Sequence, residues 1–316
     1  MWKTKPPYFE GPGKLAADRP DCGIMATRCN CLIVVIAVAV TSASLLAGEA
    51  ENHSASQAAE DLRHPALRVM QTPAGTHFGL FGEKPPRPAP TIFILANSID
   101  HAGADPTRLH TTAGRELAKD GWIYVVLDPA LEGYSRIADE PSGIAGWAHR
   151  VKTGQDFLGR QLKDCIDVLN HLIAEGYTDP ERIAVSGTSR GGFFALHLAA
   201  AEPRVRAVTA VSPVTNPLAL SEFAGVTEEQ VKSIQLDRVL DRLAGKAVWL
   251  SIGNDDRRVS TDDCIELSRK LVSATQKRRP DLNVVPVELI VGPSLGHGAI
   301  DNVYLLEAEF LRKQFR

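Results

Sequence analysis

The chain has 316 residues, 44% hydrophobic and 23% charged, with a net charge of −3. Such values exclude disorder or a coiled coil as a description of the whole chain. They show no clustered basic face of the kind nucleic acid requires, so no nucleic-acid partner is expected.

At the N-terminus, Arg28 precedes an unbroken apolar run, Cys31–Val40, and small residues follow it until Glu49. A positive segment, a short apolar segment and a small-residue end make the pattern of a secretory signal peptide. Residues 1–50 are therefore expected to be a signal peptide cut between Ala47 and Ala50. The alternative is an uncleaved N-terminal anchor, for which about 20 apolar residues are needed. The expected location is exported, periplasmic or secreted, with membrane contact only through this segment. A start at Met25 gives the signal ordinary proportions, which makes residues 1–24 an upstream extension. Gly11-Pro-Gly13 follows no strand and so is not a dinucleotide loop. Residues 1–47 carry five basic and three acidic side chains. Processing would thus shift the net charge from −3 to about −5 and leave one domain of about 266 residues.

Residues 51–65 are polar and read as a flexible leader. Strands and helices then alternate. Strands are expected at 67–72 and 76–83, joined by a Pro-Ala-Gly turn, and again at 91–95. A helix follows at 107–119 and a strand at 122–127. Leu158, Leu162, Cys165, Ile166, Leu169, Leu172 and Ile173 form one apolar stripe at helical spacing. Asp179-Pro180 reads as a break before a strand at 182–186, and 193–201 as a deeply buried helix. A strand at 205–211 leads into an irregular insertion, 216–245. Strand 247–252, helix 261–277, strand 284–291 and helix 300–315 complete the chain. Such alternation implies βαβ units and a largely parallel sheet covered on both faces.

Five cysteines are too few for a disulfide scaffold at this length. Cys165 and Cys264, which lie beyond the signal segment, read as two separately buried thiols rather than a pair. No Cys/His spacing suits zinc, no phosphate-binding loop follows a strand, and no cofactor is expected.

The chemical signal is Gly187-Thr188-Ser189-Arg190-Gly191, set between a β-branched strand and an apolar helix. G-x-S-x-G in that context is a nucleophile elbow, whose serine projects from a strained turn that side chains at 187 and 191 would obstruct. A serine nucleophile needs a base, and the base needs an orienting acid. Downstream of Ser189 lie His197, within a helix, and His297, in a glycine-flanked loop between the last strand and the last helix where the base is expected. His171 and His197 lie on helices and read as surface or packing residues. For the acid, Asp256 in Gly253-Asn-Asp-Asp-Arg-Arg-Val259 is preferred, with Asp255 in reserve as a turn cap.

These residues, in this order on these elements, resemble the α/β-hydrolase family over residues 66–316. The resemblance is strongest to its dienelactone hydrolase and prolyl-oligopeptidase-type (S9-like) branch. It implies an eight-stranded, mostly parallel sheet flanked by helices with a small cap insertion. It also implies Ser189 as nucleophile, Asp256 as acid and His297 as base. The oxyanion hole would use the backbone N–H of Arg190 and a second N–H from the loop after the third strand. Relatives carry His-Gly there, whereas this chain reads Leu95-Ala-Asn-Ser-Ile-Asp-His101. By position Ser98 supplies the donor, with Ile99 the alternative. Dienelactone hydrolases carry cysteine at the elbow, so Ser189 argues against that activity.

Prolyl-type peptidases place a β-propeller ahead of the hydrolase domain. Residues 51–65 leave no room for one here, which favours a small-molecule ester as substrate. The expected activity is a serine carboxylesterase. A small serine peptidase or amidase is the alternative, and a non-catalytic hydrolase-fold binding protein is a third reading. Leu218, Leu220, Phe223 and Val226 in the insertion either line an acyl pocket or pack on the sheet. Arg190, Arg150 and Trp147 are within reach of the pocket. Arg190 is expected to serve as an ion-pair partner rather than a substrate ligand. Oligomeric state is left open.

Overall fold

A computed structural model describes residues 66–316 apart from 106 and 108. The expected signal peptide, start site and leader therefore lie outside the described residues.

Eight strands form one sheet in the order β1-β2-β4-β3-β5-β6-β7-β8. They are β1 (Leu67–Gln71), β2 (His77–Phe81), β3 (Ala89–Leu95), β4 (Ile123–Val126), β5 (Thr178–Thr188), β6 (Val205–Val211), β7 (Ala247–Gly253) and β8 (Val287–Gly292). β1 and β2 pair antiparallel, as do β2 and β4, and every other pairing is parallel. β3, β4 and β7 are buried along their whole length because helices cover both faces. Phe93, Leu95 and Val185 point into one core with Trp147, Leu169 and Phe193. Their neighbours Ile92, Ile94 and Ala184 point into the other, with Leu117, Tyr304 and Leu311.

Nine α-helices are described: α1 (Ile99–Ala104), α2 (Thr112–Ala118), α3 (Gly143–Lys152), α4 (Leu158–Ala174), α5 (Arg190–Ala201), α6 (Glu228–Val231), α7 (Leu240–Leu243), α8 (Thr261–Arg278) and α9 (Val303–Gln314). Two of them, α1 and α3, were not expected. Ser98 starts α1, its hydroxyl accepting the His101 N–H at 3.3 Å. In α3, Ile144, Trp147, Ala148 and Val151 do recur at helical spacing, but Gly143 and Gly146 weaken the local preference.

The expected break at Asp179-Pro180 is corrected, because β5 already begins at Thr178. Ala89 pairs with Thr178 and Thr91 with Ile183, so the first part of β5 loops out of register. Pro180 sits in that irregular stretch, where its missing N–H costs no ladder bond. β8 starts at Val287 rather than residue 284. Pro286 has no N–H to give and instead accepts one from Val248 at 2.8 Å.

The 216–245 insertion consists of short 3-10 and α turns. Leu220, Phe223, Val231, Ile234, Leu236, Val239 and Leu243 are buried in the same core as α5. Leu218 and Val226 pack partly buried against it. The insertion is thus a packed cap, not an apolar lining. Cys165 and Cys264 are separate buried thiols, and burial pushes both up to about 12.

Candidate active site

β5 ends at Thr188 and α5 begins at Arg190, with Ser189 between them at φ 55°, ψ −116°. A non-glycine residue there is strained, and hydrogen bonds hold it in place. Ser189 donates its N–H to the Val211 carbonyl at 2.8 Å and accepts the N–H of Val214 and of Gly192 at 3.0 Å. A β-carbon at Gly187 would overlap the Gly191 backbone, and one at Gly191 would overlap the Leu95 carbonyl. The glycines of the motif are therefore steric requirements of this turn.

The loop after β8 brings His297 to the serine, with Nε2 2.9 Å from Ser189 Oγ. Its Nδ1 lies 2.7 Å from Asp256 Oδ2. Donation from Nδ1–H to the carboxylate leaves the Nε2 lone pair facing the serine hydroxyl. Asp256 is 2% exposed. Its Oδ1 accepts the N–H of Arg258 at 3.0 Å and of Val259 at 3.2 Å. Thr261 closes this loop, accepting the Asp256 N–H at 3.1 Å and donating to the Gly253 carbonyl at 2.6 Å. Asp255 turns away and pairs with exposed Arg257 at 2.9 Å. The structure thus brings Ser189, His297 and Asp256 into one hydrogen-bonded line and leaves Asp255 outside it.

Ile99 and Ser98 behave differently. The Ile99 N–H is engaged, donating to Asp128 Oδ1 at 2.8 Å. The N–H groups of Ser98 and Arg190 have no acceptor among the described hydrogen bonds. The other oxygen of Asp128 accepts the Tyr134 N–H at 2.7 Å, and burial pushes this carboxyl upward. Asp128 therefore ties the loop after β3 to the loop after β4. Sequence reasoning missed it, although its place directly beyond the end of β4 was a signal.

The Arg190 side chain is bound to Glu132: Nη2 donates to Oε2 at 2.9 Å, and Nε stands 2.8 Å from Oε1. Burial raises the Glu132 carboxyl, and the guanidinium opposes that rise. Arg150 and Trp147 are not at the site. Arg150 forks onto Glu140 at 2.7 and 2.8 Å, and Trp147 is fully buried, stacked on Phe157. His197 is a packing residue, its Nε2 3.0 Å from the Ile234 carbonyl, and burial lowers it to about 4. The cap is fastened to the acid loop by Glu222 and Arg258, at 2.5 and 2.8 Å.

Residues 142–315 match the prolyl oligopeptidase family. The chain belongs to that family. The acylamino-acid-releasing enzyme of Arabidopsis thaliana is 33% identical over 99 residues, which are 30% of this chain and 13% of the plant enzyme. Among solved structures, the acylaminoacyl peptidase of Pyrococcus horikoshii superposes with a TM-score of 0.58 at 12% identity. That match covers 81% of this chain and 42% of the peptidase. Acetyl xylan esterase 1 from a Thermoanaerobacterium species superposes at 0.55 and 17% identity, covering 80% of this chain and 89% of the esterase. At such identities these likenesses establish the α/β-hydrolase fold.

Proposed function

We propose that the protein is a serine hydrolase cleaving carboxylic esters through an acyl-enzyme on Ser189. The observation that carries this reading is the unbroken line from Ser189 Oγ through His297 to buried Asp256.

In the first half-reaction His297 Nε2 takes the Ser189 proton as Oγ attacks the ester carbonyl carbon. Asp256 holds the imidazole orientation and stabilises the imidazolium. The carbonyl oxygen gains the negative charge, which the N–H groups of Arg190 and Ser98 receive; each such donor is worth about 2.7–4 kcal/mol in rate. Collapse of the tetrahedral intermediate breaks the bond to the alkoxy oxygen, which leaves as alcohol with the proton from His297. Water, deprotonated by the same nitrogen, then releases the acid and restores Ser189.

Access to the site supports esters over peptides: His297 sits on a loop open to solvent, with Leu295 99% exposed beside it. Peptide or amide hydrolysis is the second reading, favoured by the family match itself. Turnover of p-nitrophenyl acetate and butyrate set against aminoacyl p-nitroanilides tests the choice. Faster ester turnover by at least about a hundredfold, abolished in S189A, supports the ester reading; the reverse preference assigns a peptidase.

Export belongs to the same proposal and rests on the pattern around Arg28 and Cys31–Val40. N-terminal sequencing of the native protein tests it.

A further inference from the structure

One carboxyl group plays no part in the proposed chemistry and yet lies beneath it. Glu307, on α9, is 0% exposed. Its Oε1 accepts the hydroxyl of Thr209 on β6, and Ser186 on β5 neighbours the carboxyl. Oε2 has no partner among the described residues. One helical turn earlier, the Tyr304 hydroxyl lies 3.2 Å from Thr188 Oγ1, next to the nucleophile, and 2.8 Å from His110 Nδ1. Residues 304 and 307 share one helix face. Two polar side chains on the helix that follows the His297 loop thus bond to the sheet beneath the site, Tyr304 at the end of β5 and Glu307 on β6.

We propose that Glu307 is a positioning residue for the Ser189–His297 pair: as a neutral acid it locks α9, and with it the His297 loop, against β5.

No cation faces it. Ser186 and Thr188 on β5, Thr209 on β6 and Trp249 on β7 are uncharged. On α9 itself, burial raises the Tyr304 phenol further above its ordinary value. On α2, Glu116 pairs with Lys119 at 2.7 Å, while Arg115 donates to Thr112 at 3.0 Å. Beyond Tyr304, burial lowers His110. An unpaired carboxylate in such surroundings is costly, and the neutral form is favoured. Burial pushes Glu307 up to about 7. Ionisation places a charge between two strands and α9, and hydrating it separates them.

The test compares the full-length wild type with E307Q, which keeps a neutral planar group, and with E307A, from about pH 5 to 9. Melting curves at each pH confirm that every variant is folded. Two readouts are taken: kcat on p-nitrophenyl acetate, and the downfield proton resonance of the His297 Nδ1–H···Asp256 hydrogen bond. E307Q is expected to keep kcat within about threefold at pH 6 and hold it into the alkaline range. Wild-type kcat should fall several-fold relative to E307Q as pH passes about 7. E307A should be slower by about tenfold throughout at similar KM. Kinetic profiles of both variants that superimpose on the wild type overturn the proposal. Its kinetic arm rests on the esterase reading. If the wild type hydrolyses no ester, that reading fails, and the resonance decides the positioning role. A line that broadens above about pH 7 in the wild type but not in E307Q supports it, and identical lines overturn it.

Discussion

Gly191 packs directly against the carbonyl oxygen of Leu95, leaving no space at residue 191 for a β-carbon. This contact joins the turn carrying Ser189 to the end of β3, from which the Ser98 loop departs. The two parts of the site are thereby held in one frame. In G191A the overlap must be relieved by moving one of them, at a cost of about 1–3 kcal/mol. The urea midpoint should drop accordingly and ester turnover should fall with it. An unchanged midpoint and rate would mean that the turn has slack.

The two neighbouring aspartates should behave oppositely. Asp256 accepts from His297 and two backbone N–H groups, while Asp255 meets only exposed Arg257. D256N presents an amide where the imidazole needs an acceptor, and kcat should fall by roughly 10³–10⁴-fold. D255N should stay within about twofold of wild type, because exposed ion pairs contribute little. Steady-state kinetics on one ester separates them.

Removing the Arg190 side chain strands Glu132. That carboxyl is already raised by burial and is lowered by the guanidinium. Without it, the folded-state value rises further above the unfolded one. Stability is then present below the unfolded value and is lost as pH rises through the folded value. R190A should therefore lose more stability at about pH 8 than at about pH 5, and R190A/E132Q should cancel the difference. Chemical denaturation at the two pH values reads this, and an equal loss at both would contradict it.

His197 has the opposite sign. Burial lowers it from 6.5 to about 4, so the folded state resists its protonation. Its contribution is fully present above pH 6.5 and declines as pH falls from there toward about 4. H197Q retains a donor for the Ile234 carbonyl but cannot titrate, so its stability should vary less over that interval. Parallel melting curves of the two proteins against pH would refute the assignment.

Much of this was legible because steric and periodic constraints leave marks in sequence. The elbow needs glycine at 187 and 191, and of the two histidines after Ser189 only His297 lies in a loop rather than on a helix. Asp256 could be preferred over Asp255 because the Gly-x-x-Asp-x-x-Val spacing places it where the loop turns back toward His297, and the structure adds the Val259 N–H on its carboxylate. What escaped notice depends on contacts distant in sequence. Asp128 engages Ile99 from 29 residues away, and Glu307 engages Thr209 from 98. Pro180 misled for the same reason: only the partner register reveals that β5 bulges there. The role of the insertion was ambiguous because Phe223 has the same composition in a pocket lining as in a core.

The acyl-enzyme forms on Ser189 or not at all. Purified wild-type protein and S189A, matched for melting temperature, should be given p-nitrophenyl acetate and followed for p-nitrophenol release. The wild type should turn over, with acetate transiently attached at Ser189, and S189A should lose about 10⁵-fold or more, as expected when a nucleophile is removed. Equal turnover by both proteins, or acetate carried at another residue, would contradict it.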